Sequence, residues 1–170
     1  ELAQVMGRLG VAVQLIERLP RLIHSDDRDA SSLIENCFEE EGIEIHTATN
    51  VTQFEYTGHD IIATVEKEGQ KKTLKTQAVL LATGRQPNID NMGLDNAGVD
   101  FDHSGIKVNS SLTTSKPNIY ACGDVVGPYL FTHSADYQAR IVTRNILIPW
   151  FKAKVNYQWV PRVTYTDPEV

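Results

Sequence analysis

Cysteine is scarce in this chain. Its 170 residues hold two, Cys37 and Cys122, too few and too far apart for a disulfide framework, a zinc site or a redox dithiol. A reducing, cytoplasmic setting is the expectation that follows. Basic charge is in deficit as well: sixteen Lys and Arg against twenty-two Asp and Glu leave a net charge of −6. A binder of phosphate backbones carries the opposite footprint, so nucleic acid is not an expected partner. Long hydrophobic runs are missing too. The most apolar stretches, 78–82 and 146–151, fall well short of the ~18 residues that cross a bilayer, and no membrane partner is expected. Glu39-Glu40-Glu41 lacks metal-ligand spacing and reads as a solvated helix end, so no metal site is expected. With 41% hydrophobic and 22% charged residues, the composition is that of a folded globular chain rather than a disordered tail or coiled coil. The chain opens at Glu1 without an initiator methionine or signal sequence. Its first segment reads as a helix already under way, and 161–170 as a strand and turn without a partner. The expectation is a piece of a longer protein.

Periodicity supplies the architecture. Leu2, Val5, Met6 and Leu9 follow the spacing of a one-faced helix, with Gly10 placed to close it. The segment 11–17 is aliphatic and β-branched, which suits a buried parallel strand ending at Glu17. Polar residues 25–29 supply helix-starting side chains, and Ala30, Leu33, Ile34, Cys37 and Phe38 trace the next helical stripe before Gly42. Ile43 to His46 resumes the sheet. Strand, helix and strand with short joints form a βαβ crossover, the unit of doubly wound α/β sheets. Segments 51–56, 61–66 and 71–74, separated by Gly-containing turns, read as an antiparallel meander. The apolar stretch 78–82, ending in Thr83-Gly84-Arg85, predicts a strand covered on both faces. Residues 86–105 are rich in Asn, Asp, Gly and Pro and read as a linker. Two short strands, 106–108 and 119–122, follow, the second running into Gly123-Asp124. A helix begins at Thr132 or His133, with Ala135, Ala139, Val142 and Ile146 on one face.

Two carboxylates stand where ligands bind. Glu17 lies at the carboxyl end of a parallel strand, the edge at which open α/β sheets hold their ligands. There it can accept both hydrogens of an adenosine ribose diol and would repel a 2′-phosphate, which favours NAD over NADP. Arg18 and Arg21 point the other way, towards a phosphate clamp, and a strand-terminal Glu is often only a solvated end. Asp124 follows Gly123, whose missing Cβ lets a ligand approach the backbone. It can accept a hydrogen bond from a sugar or ribityl hydroxyl, or simply organise the next turn. The helix start near Thr132 adds a positive dipole end and free N–H groups, suited to the negative N1/C2 carbonyl edge of a reduced flavin. His133 suits proton transfer or a helix cap, while Cys122 and Cys37 read as small core residues.

Several segments recur together, in this order, in one family. They are Glu1-Leu2-Ala3, the strand ending in Glu17, Ala82-Thr83-Gly84-Arg85-Gln86-Pro87-Asn88, Thr114 to Asp124, and Tyr165-Thr166-Asp167-Pro168-Glu169. The chain resembles, over nearly its full length, the flavoprotein disulfide reductases, in the branch of dihydrolipoamide dehydrogenase and mercuric reductase. The resemblance implies an α/β, FAD/NAD(P)-binding Rossmann-like three-layer fold with an antiparallel β-meander, incomplete at both ends. Residues 1–85 would be an NAD(P)-binding domain lacking its first strand and Gly-rich loop, 86–148 the returning part of the FAD-binding domain, and 149–170 the start of a C-terminal dimerisation domain. It assigns Glu17 to the NAD ribose, Val51 and Gly84 to the nicotinamide nucleotide, and Glu1 to the nicotinamide's neighbourhood. It assigns Asp124 to the FAD ribityl chain, and Leu130, Phe131, Thr132 and His133 to the flavin edge. The cofactors implied are FAD and NAD, and the whole protein would be a homodimer.

The family's G-x-G-x-x-G fingerprint, C-x4-C redox pair and His-Glu pair are absent from the sequence, so it supplies no catalytic residue. The terminal acceptor, lipoamide, mercuric ion or another disulfide, is left open. The implied reaction passes hydride from NAD(P)H through flavin to a disulfide or metal-type acceptor. The competing readings are a related NADH oxidase or ferredoxin reductase, and a nucleotide-binding fragment without turnover, the expectation for this piece alone.

Overall fold

The computed structural model describes all 170 residues and divides them into two compact units, 1–81 with 162–170, and 82–161. The first unit carries the parallel crossover that the sequence predicts. Strand β1 (Gln14–Ile16) pairs in parallel with β2 (Glu44–His46), and between them runs a helix, α2 (Arg28–Glu40). Helix α1 (Leu2–Arg8) precedes them. Asp27 starts α2 as its N-cap, its side chain accepting the Asp29 N–H at 3.0 Å, and Asp29 adds an acid to the first turn. The helix buries Ser31, Ile34 and Phe38, packing Ile34 and Phe38 against Leu22 and Ile43. Sequence periodicity locates this stripe only in part, because Leu33 on the expected face is half exposed at 49%.

The meander folds as expected: β3 (Asn50–Tyr56), β4 (Ile61–Lys67) and β5 (Gln70–Thr76) form an antiparallel sheet in chain order. Its core side is β4, where Ala63 and Val65 are buried.

Two expectations fail in this unit. On α1, Leu2, Val5, Met6 and Leu9 face outward, each more than 40% exposed, and the buried residue is Gln4. The amide of Gln4 donates to Glu41 Oε1 at 3.0 Å and to the Asp167 carbonyl at 2.8 Å, and accepts the Asp167 N–H at 2.9 Å. Three hydrogen bonds to fixed partners outweigh the helix's apolar stripe, which finds no covering element in the chain. The apolar stretch 78–82 is likewise no strand: Leu80 and Leu81 are 63% and 70% exposed. A strand needs a neighbouring edge to take its backbone bonds, and the only parallel sheet here ends at β1 and β2.

Beside Gln4, Arg8 pairs with Glu41 at 2.5 Å and with Asp167 Oδ2 at 2.9 Å. The Arg8 guanidinium is the main reason that the Glu41 carboxyl titrates below the usual carboxylate range, with Gln4 adding to it and burial opposing it. A lowered folded-state pKa means stability that is complete above the unfolded value of about 4.3 and disappears as pH falls through the folded value. The stability gap between the native protein and Glu41→Gln is therefore expected to be full at neutral pH and to close below about pH 4. Denaturant titrations at several pH values measure it, and a gap that stays constant contradicts this account.

In the second unit a short helix, α3 (Leu94–Ala97), leads to the hairpin β6 (Phe101–Asp102) and β7 (Gly105–Ile106), and the chain ends in α4 (Thr132–Leu147) followed by irregular backbone. Ile89, Val99 and Ile106 form its small core, with Leu94, Val108, Ala121, Val125 and Val126 packed around them. The expected strands 106–108 and 119–122 shrink to β7 and to single bridges at Val108 and Tyr120. Helix α4 starts where the sequence predicts but buries a different face. Ser134, Gln138, Ile141 and Asn145 are inside, whereas Ile146 of the expected stripe is 57% exposed. Gln138 and Asn145 win that face because they have backbone groups to satisfy.

Candidate functional site

The clearest concave site lies in the second unit. Arg85, Gln86, Pro87, His103, Ser104, Asp124, Gly127, Pro128 and Leu130 line a cleft of about 420 Å³, within the range of small-ligand and cofactor sites. Local sequence builds it. Gly123 takes a φ of +83°, a conformation glycine adopts freely, and the Val126 N–H closes the turn on the Gly123 carbonyl at 3.0 Å. This lifts Asp124 into the cleft with its side chain half exposed. From the other side, Gly105 allows β7 to press against the turn. A Cβ at Gly105 would collide with the Val125 carbonyl, which instead accepts the Ile106 N–H at 2.7 Å.

Arg85 is the residue that sequence reasoning missed. Its Nη1 donates to Asp124 Oδ2 at 3.3 Å and to the Leu130 carbonyl at 3.1 Å, spanning the cleft between two expected site residues. Its signal was present in Thr83-Gly84-Arg85, but a cation thirty-nine residues from its partner shows no spacing from which a pairing can be read. At these exposures the ion pair contributes at most about 1 kcal/mol, so Asp124 can exchange this partner for a ligand hydroxyl at small cost.

The segment 130–133 lies beside the cleft. Phe131 occupies the N-cap of α4 and gives no side-chain bond to the first-turn N–H groups, which leaves that end of the helix available to an anion or carbonyl oxygen. Thr132 is the first helical residue, and the rings of Phe131 and His133 stack with centroids 5.2 Å apart. His133 Nε2 lies 2.9 Å from the Pro161 carbonyl, so it carries the N–H there and anchors the helix start. Gly84, with φ +118°, sits in exposed backbone one residue before Arg85. Unit two thus brings Asp124, Leu130 and the start of α4 together with Gly84-Arg85. An exposed carboxylate, a glycine-opened backbone and an uncapped helix terminus fit the polyhydroxyl chain and carbonyl edge of a flavin.

In the first unit, Glu17 stands one residue beyond β1, its N–H still bonded to the His46 carbonyl at 2.9 Å. Its Oε1 accepts the Leu19 N–H at 2.7 Å, which fixes the side chain and leaves Oε2 to accept a further hydrogen bond. Arg21 is unavailable as a phosphate clamp, since its guanidinium donates to the carbonyls of His24, Asp26 and Asp27. Arg18 remains exposed. Glu1 occupies the N-cap position of α1 without a side-chain cap bond, its Oε1 instead accepting the Tyr165 N–H at 2.8 Å. Val51 lies on exposed β3, opposite Val65.

A parallel βαβ crossover with a carboxylate at its strand end, and a glycine-lifted aspartate before a helix start, mark an α/β protein of the Rossmann-like type. Comparison with known proteins agrees. Residues 1–139 match the family described as pyridine nucleotide-disulphide oxidoreductase. Over 172 aligned residues the chain is 38% identical to dihydrolipoyl dehydrogenase of Bacillus subtilis, covering 100% of this chain and 36% of the relative. It is 36% identical to mercuric reductase of Staphylococcus aureus, covering 100% of this chain and 31% of the relative. Among solved structures, the HOCl-induced flavoprotein disulfide reductase RclA from Escherichia coli superposes with a TM-score of 0.86 at 26% identity, over 99% of this chain and 38% of its own. LpdA from Mycobacterium tuberculosis shares the fold, with a TM-score of 0.88 at 22% identity, over 99% of this chain and 36% of its own. This chain belongs to the pyridine nucleotide-disulphide oxidoreductase family, and it spans about a third of the length of the relatives it matches.

Proposed function

We propose that the whole protein is an FAD-dependent, NADH-linked oxidoreductase that passes reducing equivalents to a disulfide or metal-type acceptor, as a homodimer in the cytoplasm. The observation that carries this reading is the cleft at Asp124, in a chain whose family binds a pyridine nucleotide and a flavin. In this reading residues 1–85 serve the nicotinamide nucleotide, 86–148 the flavin, and 149–170 begin the dimer-forming part.

When bound, FAD supplies the hydride-accepting and electron-passing chemistry. The chain's own residues bind and orient. Asp124 accepts a hydrogen bond from a ribityl hydroxyl, a charge-assisted bond worth roughly 1.5–3 kcal/mol. The N–H groups at the start of α4, following Leu130 and Phe131, face the flavin's carbonyl edge and stabilise negative charge there by roughly 0.3–1 kcal/mol. Glu17 receives the adenosine ribose of NADH, Val51 and Gly84 border the nicotinamide nucleotide, and Glu1 lies near the nicotinamide. The test is the visible absorption spectrum of the purified whole protein. A flavin band supports the reading, and a colourless, folded protein that takes up no FAD contradicts it.

The choice of NADH is tested separately. Arg21 is spent on backbone carbonyls while Arg18 stays exposed, so the acid at position 17 and the base at 18 are the side chains that compete for the 2′ position. Glu17→Ala is expected to lower the preference for NADH over NADPH at least tenfold, the equivalent of one charge-assisted bond of about 1.4 kcal/mol. Steady-state kcat/KM for the two nucleotides measures it, and an unchanged ratio would remove Glu17 from the ribose site.

A further inference from the structure

One of the fully buried polar side chains of α4 touches the turn that carries Asp124. Gln138 has no exposed surface. Its Oε1 accepts the Gly123 N–H at 2.6 Å, and its Nε2 donates to Tyr157 Oη at 3.0 Å and, weakly, to the Gly127 carbonyl at 3.5 Å. A backbone N–H must be met by an oxygen, so the Gly123 bond fixes which way the amide faces. One side chain thus grips the turn at both glycines, immediately before Asp124 and three residues after it.

The turn is held from one other direction, by the Ile106 N–H on the Val125 carbonyl at 2.7 Å. Asp124 sits between these two grips, and its only side-chain partner is the exposed Arg85. The direction of its carboxylate is therefore set by the backbone, and the backbone by Gln138 and β7. Tyr157 secures the far end of the amide, its ring packed against Tyr129 at 5.3 Å. Burial raises the Tyr157 pKa, keeping the phenol neutral.

We propose that Gln138 is a positioning residue for flavin binding, acting through the Gly123 N–H to aim the Asp124 carboxylate into the cleft. This rests on the flavin reading above and adds to it a buried residue with no access to the cofactor. A side chain that merely held the fold would lower stability when replaced and leave the affinity of the folded protein for FAD unchanged.

The experiment uses the whole protein, stripped of flavin and titrated with FAD, with flavin fluorescence and the visible spectrum as readouts and thermal unfolding in parallel. Gln138→Met keeps the length and removes the acceptor, and it is expected to weaken FAD binding about tenfold. Gln138→Glu keeps the acceptor oxygen, and its affinity is expected to stay within about threefold of the native protein. Asp124→Ala is titrated alongside. If Asp124→Ala weakens binding while Gln138→Met does not, the positioning role is overturned and the flavin site stands. If the Met and Glu variants weaken binding equally, the acceptor oxygen is not what matters and the proposal is again overturned. If Asp124→Ala binds FAD normally, the flavin reading falls and this inference with it. Should Gln138→Met not fold, Gln138→Leu decides, because it too removes the acceptor from the Gly123 N–H. A threefold or greater loss of affinity then supports the proposal, and native affinity overturns it.

Discussion

Replacing Asn145 by leucine is expected to destabilise the 82–161 unit of the whole protein by about 2–5 kcal/mol, the cost of orphaning the buried Ser111 carbonyl and two part-buried groups of Ala153 at about 1–3 kcal/mol each, less than additively. Asn145 is fully buried in the last turn of α4. Its amide donates to the carbonyls of Ser111 at 3.1 Å and Ala153 at 3.0 Å, and its oxygen accepts the Ala153 N–H at 2.7 Å. These bonds tie the helix to two irregular segments, neither of which has a strand ladder to satisfy its backbone. Leucine has nearly the same shape, so the loss reports polar satisfaction and not packing. Chemical denaturation followed by Trp150 and Trp159 fluorescence measures it, and a change below about 1 kcal/mol, the range of ordinary surface substitutions, contradicts the structure's account of α4.

The second large effect concerns binding. Asp124→Ala is expected to weaken FAD binding by about 10-fold to 150-fold in the whole protein, the equivalent of one charge-assisted bond of about 1.5–3 kcal/mol. Asp124→Asn, which keeps an acceptor oxygen but no charge, is expected to fall in between. The Asp124–Arg85 pair is exposed at 3.3 Å, so removing it should leave stability within about 1 kcal/mol of the native value. Retention of flavin through gel filtration, read from absorbance, together with thermal unfolding, separates the two effects. Loss of stability without loss of flavin would make Asp124 a turn residue, the plainer of the two readings its sequence context allows.

The legible parts of the sequence are those with local cause. The α2 N-cap, the parallel β1–α2–β2 crossover and the β3–β4–β5 meander all follow from side-chain periodicity, turn residues and capping chemistry, and each lies within a residue or three of its expected place. Gly123-Asp124 and the start of α4 could be read for the same reason: the glycine turn and the helix start are close together in the chain. What could not be read depends on partners distant in sequence. Leu2, Val5, Met6 and Leu9 have helical spacing but face outward, because Gln4 finds Glu41 and Asp167. Ala78 to Ala82 has the composition of a buried strand and no neighbour with which to pair. On α4 the apolar stripe through Ile146 predicts one buried face, while Gln138 and Asn145 turn another inward because loops around Gly123, Ser111 and Ala153 present unpaired backbone groups. Arg85 escaped notice in the same way. Hydrophobic periodicity says which face prefers to leave water, and it says nothing of backbone groups elsewhere that only a polar side chain can satisfy.

The most direct measurement is a structure of the whole protein crystallised with FAD. The account predicts a ribityl hydroxyl within about 2.6–3.2 Å of an Asp124 carboxylate oxygen, with the Gln138 bond to the Gly123 N–H intact beneath it. A flavin bound elsewhere, with Asp124 still paired to Arg85 and out of its reach, would contradict it.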